Sequence, residues 1–373
     1  MNEQTYLGRG MEALDRQLLT AIDPYKRRLI HVQRATLFAR LVRTAESKAL
    51  ITQLRAENQD YEPRLSSWIM YAEGLIAHFE ALDTTRATGW FRRAHAISVA
   101  CGDNELRAIC AAWMADSDFR SANIQSSITH ALDAFRWSTP NSHEARGRAC
   151  LILADLLSWA DLTKEAKDWY RRSRHHAVQL GDIGMQSVIL YNSVSFRTAA
   201  TVLADCYDTV DVAGVEALRR EVTSVSNLDA GLSIGRLTSL VPALQAELST
   251  VLREWQRGIT GLESVLDRTR ADGQTRLHAK FAAQLAWCRA NIGDVSGAKV
   301  ATAMAREGID ECEDLDDLAV VYSRLAASAK LAGDMAEAAK LQERGDRCMS
   351  AFLEARATLN SSMIEAVASI ANP

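Results

Sequence analysis

A short motif returns along this chain at a fixed interval, and this recurrence constrains the fold more than any other feature. The segment LAWCRANIGDVSGAK, at 285–299, aligns without a gap to LAASAKLAGDMAEAA, at 325–339, which lies 40 residues further on. Both segments carry Leu-Ala, then Gly-Asp, then a later alanine. Glycine ends a helix in a left-handed conformation, aspartate caps the helix that follows, and alanine lets two helices approach closely. Each copy therefore predicts a helical hairpin.

A second pair of segments repeats at about twice this interval. WFRRAHAISVACGD, at 90–103, and WYRRSRHHAVQLGD, at 169–182, align at an offset of 79 residues and share the tryptophan, both arginines, one valine and the closing Gly-Asp. A feature that recurs at a multiple of the repeat period is typical of packing rather than of catalysis. We expect Trp90 and Trp169 to wedge between adjacent hairpins, with the arginines that follow them reaching solvent.

The rest of the chain also has a helical pattern. Apolar residues recur at three-and-four spacing, and the intervening positions are filled with Ala, Leu, Arg, Glu and Gln, which are good helix formers. Only five prolines occur in 373 residues. Turn signals are separated by about half of a 40-residue unit, which is the spacing of stacked helix-turn-helix units. The sequence predicts an almost entirely α-helical chain.

The Leu-Ala-x(6)-Gly-Asp-x(3)-Ala pattern resembles the core of the tetratricopeptide repeat, and its spacing is similar to the longer variants of bacterial signalling and transcriptional proteins. Ala166 and Tyr170 match the small and aromatic positions of the second helix. The resemblance implies an all-α fold: an α-solenoid of about nine antiparallel helical hairpins in a right-handed superhelix. One array would span residues 1–373, with degenerate hairpins over 1–60, a repeat body over 61–335 and a capping helix over 336–373.

In that family the first helices of successive hairpins line a concave groove that binds a protein or peptide. The resemblance therefore implies a non-catalytic scaffold or adaptor. The alternative is a regulatory sensor that binds a small peptide or metabolite and signals to a separate output protein. Asn192 would hydrogen-bond either a ligand backbone or a neighbouring helix. The residues that the repeat register places in the groove are Arg148, Asp155, Tyr191, Asn192, Arg197, Lys280 and Trp287.

Motifs for catalysis or for metal and cofactor binding are missing from the sequence. It has no glycine-rich phosphate loop, no H-E-x-x-H and no cysteine–histidine spacing suited to zinc. Adjacent His175 and His176 diverge by about 100° on a helix and are interpreted as a surface pair. Asp116 and Asp118 diverge in the same way and are expected to be solvated. The acidic segment at 307–317 is interpreted as a charged turn. We expect no enzyme activity, no cofactor and no metal.

Charge and cysteine usage bear on partners and compartment. The net charge is −4, although residues 1–200 carry a net +3 (25 Lys/Arg against 22 Asp/Glu) and the remainder a net −7 (18 against 25). The basic helix at 25–43 is interpreted as an ordinary hairpin helix, so no nucleic-acid partner is expected. No apolar run is long enough for a membrane span, and no membrane partner is expected. Seven cysteines without C-x-x-C predict reduced thiols in the cytoplasm.

The end of the chain offers an apolar row on its last predicted helix. Met363, Ile364, Val367 and Ile370 recur at helical spacing. This row would cap the array or pair two chains in a homodimer. Capping is the simpler hypothesis.

Overall fold

The described part of the chain is almost entirely helical. The computed structural model describes residues 4–41, 43–58, 60–80, 84–232, 240–271 and 274–371, and within these ranges it contains seventeen α-helices and no β-strand. The prediction of an all-α fold is confirmed. The helices are α1 (Gln4–Thr20), α2 (Pro24–Arg40), α3 (Thr44–Glu57), α4 (Pro63–Glu80), α5 (Thr84–Cys101), α6 (Asn104–Arg120), α7 (Ile124–Trp137), α8 (His143–Trp159), α9 (Thr163–Leu180), α10 (Ile183–Cys206), α11 (Val212–Leu232), α12 (Leu240–Val251), α13 (Trp255–Ala271), α14 (His278–Asn291), α15 (Val295–Glu307), α16 (Leu315–Leu331) and α17 (Met335–Ala371).

Neighbouring helices pack as hairpins, and the first helices of successive hairpins also pack on one another. Close pairs include α4 with α5, α6 with α7, α8 with α9, and α14 with α15. Helix α2 packs on α4, α6 on α8, and α14 on α16. An even-numbered helix is thus the first helix of its hairpin, and an odd-numbered helix is the second.

First and second helices differ in how much of their surface is buried. Helix α5 buries a single stripe, Ala87, Phe91, Ala94 and Ser98, at the three-and-four spacing of an amphipathic helix. Helix α6 buries an unbroken run from Ala108 to Asp118 because helices cover it on nearly every side. The second helices therefore supply the exposed outer faces.

The Gly-Asp pairs form the turns that the sequence predicts. Gly102, Gly181, Gly293 and Gly333 all have positive φ. The aspartate after each glycine accepts a hydrogen bond from the backbone N–H three residues on, as in Gly297 N to Asp294 Oδ1 at 2.9 Å. The same motif serves two kinds of turn, since the pairs at 293 and 333 end first helices whereas those at 102 and 181 end second helices.

The contacts divide the chain into two compact units. Unit 1 comprises residues 1–189 and 360–373, and unit 2 comprises residues 190–359. Within unit 1, Asn360 Nδ2 donates to the carbonyl oxygen of Ala160 at 3.0 Å. Met363 of the predicted apolar row is fully buried, whereas Ile364 is 57% exposed. No described helix is both long and apolar enough to cross a membrane.

The turn at Gly293 gives a stability prediction with a control of opposite sign. A Cβ at Gly293 meets no atom within 4 Å, but φ is +79° there, so Gly293→Ala should lower the free energy of unfolding by about 1 kcal/mol through backbone strain alone. Gly89 lies inside α5, and a Cβ there also meets nothing within 4 Å. Gly89→Ala should raise the free energy of unfolding by about 0.5–1 kcal/mol. Urea unfolding measures both changes in the free energy of unfolding. If the two substitutions changed it in the same direction, the turn assignment would be contradicted.

Candidate partner-binding residues

A buried arginine lies at the centre of the polar contacts of unit 1. Arg40, at the end of α2, has a side chain that is 11% exposed. Its guanidinium lies 3.1 Å from Glu144 Oε1 and also pairs with Asp182. Burial acts to lower the pKa of Arg40, but the charges of Glu144 and Asp182 outweigh it and raise that pKa above its ordinary value.

Arg148, a predicted groove residue, belongs to the same polar interior. Its guanidinium lies 3.4 Å from the ring centroid of Trp113 and 3.5 Å from Asp116 Oδ1. The Trp113 indole N–H donates to the hydroxyl of Tyr71 at 2.9 Å, and that hydroxyl donates to Glu144. Desolvation lowers the pKa of Arg148, and the charge of Asp116 acts in the opposite direction.

The prediction that Asp116 and Asp118 are solvated acids is wrong. Their residues are 4% and 3% exposed, because α6 is enclosed by neighbouring helices and cationic side chains neutralise both carboxylates. Asp116 accepts from Arg120 Nε at 3.0 Å. Asp118 lies 2.7 Å from His130 Nδ1 and 3.6 Å from Arg92.

Asp155 is used within its own hairpin. The residue is 2% exposed, and its carboxylate accepts the hydroxyl of Tyr170, on α9, at 2.7 Å. The contact fastens the first helix of the hairpin to the second. A partner-binding role for Asp155 stays a prediction.

In unit 2, Lys280 lies between carboxylates of the two flanking first helices. Its Nζ is 3.2 Å from Glu247, on α12, and 3.0 Å from Asp317, on α16, and its side chain is 7% exposed. Gln284 Nε2 also donates to Glu247 at 2.9 Å. Burial opposes the charged form of Lys280, yet the two carboxylates raise its pKa above the ordinary value.

Trp287 is enclosed by two guanidiniums. Arg324 lies 3.7 Å and Arg253 4.8 Å from the ring centroid of Trp287, which is 8% exposed. Both arginines donate to the carboxylate of Asp205, which is 1% exposed. Charge neutralisation and stacking thus join α10, α14 and α16 around this ring.

The three predicted residues on α10 lie nearer the surface. Tyr191 and Asn192 are half-buried, and the hydroxyl of Tyr191 hydrogen-bonds Ser195. Burial raises the pKa of Tyr191, with the neighbouring Glu247 acting in the same direction and Lys280 against it. Arg197, whose side chain is 39% exposed, forms two hydrogen bonds to Glu221, on α11. Because Lys280 acts on the pKa of Tyr191, the fold brings these two predicted residues close together.

The interpretation of His175 and His176 as a surface pair holds for one member only. His175 is exposed, whereas His176 is half-buried and its Nδ1 lies 2.9 Å from Nδ1 of His143, on α8. Burial first, and then the nearby His143, lower the pKa of His176 to about 4. Among the described residues, no three His, Cys, Asp or Glu side chains form a group that could hold a metal ion.

The acidic segment at 307–317 is more than a solvated turn, since Asp317 is the partner of Lys280. Burial and the charge of Asp317 raise the pKa of Asp316 to about 7. The same two causes raise the pKa of Asp314. Deprotonating Asp316 therefore opposes folding.

Comparison with known proteins leaves the chain without an assigned family. No protein-family model matches it, and no curated protein matches it at a significant level. Support for a function therefore comes from the arrangement of the residues of this chain.

The Arg40 pairs give a second prediction. Arg40→Met removes the guanidinium that pairs with two partly buried carboxylates, so the free energy of unfolding at pH 7 should fall by about 3 kcal/mol. In the wild type the folded-state pKa of Asp182 is lowered. The stabilisation that Asp182 adds to the free energy of unfolding is therefore present above its unfolded pKa and is lost as pH falls through its folded-state pKa. Without Arg40 the charged form of Asp182 loses its main stabilising partner, so the deficit in the free energy of unfolding should shrink between pH 7 and pH 5. Urea unfolding at both pH values measures it.

The matched control is Arg55→Met. Arg55 forms an ion pair with Glu73 at 3.0 Å, but its side chain is 51% exposed. This pair should contribute less than about 1 kcal/mol at either pH. An Arg40→Met protein as stable as the Arg55→Met protein would show that the interior does not depend on Arg40.

Asp316 gives a prediction on pH dependence. Its folded-state pKa of about 7 exceeds the unfolded value, so its contribution to the free energy of unfolding falls as pH rises from about 4 to 7. Asp316→Asn removes this cost and should be more stable than the wild type at pH 7.5, by at least about 1 kcal/mol. The difference should vanish near pH 4. Asp310→Asn, at an exposed position of the same segment, is the control, and parallel pH profiles for wild type and Asp316→Asn would refute the prediction.

Proposed function

We propose that this chain is a non-catalytic, cytoplasmic scaffold or adaptor that binds a protein or peptide on the first-helix side of unit 2. The proposal includes the finer architecture, in which the hairpins continue as a right-handed, tetratricopeptide-like solenoid. Packing of first helix on first helix, as in α2 on α4 and α14 on α16, supports it. The seven free cysteines are compatible with a reducing compartment.

The observation that carries the binding proposal is the polar row on α10. Tyr191 and Asn192 are half-buried polar residues, and Tyr191 lies near the Glu247–Lys280 pair. Such groups satisfy the backbone donors and acceptors of an extended peptide while excluding part of the solvent. Arg197 extends the row with a cation that exchanges its exposed Glu221 partner at little cost.

Two other predicted groove residues, Lys280 and Trp287, serve the packing of the first helices of unit 2. Lys280 and Trp287 are committed to Asp317, Glu247, Arg324 and Arg253, and they hold the first helices in register. Their truncation would unfold the site rather than report on a partner. A binding test therefore belongs on α10.

The test is affinity capture of the tagged chain from its native lysate, followed by mass spectrometry. Asn192→Ala/Arg197→Ala should lose a partner that the wild type retains, because both changes remove polar groups without opening the core. The matched control is Gln256→Ala/Arg257→Ala, at exposed positions of the second helix α13. This control should keep the partner.

Two outcomes would contradict the proposal. A partner retained by the α10 variant would lie elsewhere on the molecule. If native mass spectrometry finds a small molecule and no protein, the chain is instead a sensor that signals to a separate output protein. Circular dichroism confirms that each variant is folded before the comparison is made.

A further inference from the structure

The outer face of unit 1 is basic although the chain as a whole is acidic. Helix α5 has three arginines and no acidic residue, a net +3. Helix α9 has five Lys/Arg against two Asp/Glu, again a net +3, and α7 has one of each. The three second helices thus carry +6 in a chain of net −4.

These helices are neighbours, so their charges share one surface. The ring of Phe135, on α7, packs edge-on against Trp169, on α9, at 5.6 Å between centroids. Arg92, on α5, and His130, on α7, both contact the carboxylate of Asp118. The exposed basic residues of α5 and α9 are Arg86, Arg92, Arg93, Lys164, Lys167, Arg171, Arg172 and Arg174.

The repeated tryptophan–arginine motif differs between its two copies in one respect. In both, the arginine three residues on stacks over the indole: Arg93 lies 5.2 Å from the centroid of Trp90, and Arg172 lies 4.5 Å from that of Trp169. Trp169 is 3% exposed because Phe135 covers it. The residue 79 positions before Phe135 is Ala56, which has no ring to cover Trp90.

Trp90 is therefore half-buried and faces an open surface depression. Thr85, Arg86, Gly89 and Arg93 line this depression together with the indole. Gly89 adds no side chain, and a Cβ there would meet nothing within 4 Å, so the space above the helix is unobstructed. An aromatic face between guanidiniums within a basic surface combines the two elements that bind single strands: a stacking platform and phosphate-binding cations.

We propose that the outer face of α5, α7 and α9 binds single-stranded nucleic acid, with a base stacked on Trp90 and phosphates on the exposed arginines and lysines. An acidic protein would use the same charges but would have no need of an uncovered indole. The expectation of no nucleic-acid partner rests on the acidic balance of the whole chain and on the lack of a recognition module in the sequence. The net charge of the chain sums this basic face with an acidic remainder, so it does not describe the face alone.

Helix α2 is also basic, but it is not the proposed surface. Arg27 and Arg28 donate to backbone carbonyls, Arg34 pairs with Asp15 and Arg40 is buried. These four arginines make contacts within unit 1. The arginines of the tryptophan motif are exposed: Arg92, Arg93, Arg171 and Arg172.

Fluorescence anisotropy with labelled mixed-sequence 20-mers of single-stranded RNA and DNA, in 50 to 200 mM salt, tests the proposal. Trp90→Ala should weaken binding about 5- to 100-fold with an unchanged salt slope, because it removes stacking and no charge. Lys164→Ala/Lys167→Ala/Arg174→Ala should reduce the slope of log K against log salt by about 2, at roughly 0.7 per phosphate contact on a single strand. The matched control, Lys299→Ala/Lys340→Ala/Arg347→Ala, removes three exposed cations from unit 2 and should change neither quantity.

Three results would overturn the proposal. One is no binding of either strand at 50 mM salt by the folded wild-type protein. Another is equal loss of affinity in the unit 2 control, which would mark the binding as nonspecific. The third is binding of an acidic polyglutamate peptide at least as tight as that of the strands and unaffected by Trp90→Ala, which would make the face a docking surface for an acidic protein. Preference for RNA or for DNA identifies the source of the strand and supports the proposal in either case.

Discussion

Within each unit, an arginine stacked on a tryptophan of the preceding first helix joins successive hairpins. In unit 1, Arg148 lies over Trp113, and in unit 2, Arg324 lies over Trp287. The partners are 35 and 37 residues apart in sequence, close to one repeat length. A guanidinium buried in this way needs a carboxylate within reach, because burying an unpaired charge costs several kcal/mol. Asp116 and Asp205 meet that need, and the contact fixes the register of one hairpin on the next.

The same requirement explains why the polar residues of the first helices are mostly unavailable to a partner. Once Lys280 neutralises Glu247 and Asp317, and Asp155 accepts from Tyr170, these groups are satisfied and buried. Removing one of them would leave its counterpart unpaired. Arg197, on α10, differs from these residues, because its ion pair with Glu221 is exposed on both sides and contributes little to stability.

Local chemistry could be predicted from the sequence, but pairing across hairpins could not. The Gly-Asp turns and the helical periodicity depend on residues a few positions apart, so the pattern alone predicts them. Arg40 meets Asp182 across 142 residues, and no local pattern shows which basic residue of α2 turns inward. Asp116 and Asp118 were misjudged for the same reason, since their divergence on one helix says nothing of the helices around them. The repeat predicts a wedge position for both tryptophans, and Trp169 is buried against Phe135 of the preceding hairpin, whereas Trp90 is only half-buried.

The two copies of the tryptophan motif keep the same tryptophan–arginine pair but differ in how far the indole is exposed. Each indole contacts its arginine in the same way, so the motif packs locally in both. What differs is the residue at the equivalent position of the preceding second helix, which is Phe135 in one copy and Ala56 in the other. A ring there buries the indole and completes the core, whereas a methyl group leaves an aromatic face between cations. Whether the indole of this repeated motif is exposed therefore depends on the side chain that the preceding second helix places over it. In this chain the exposed copy is the one at Trp90.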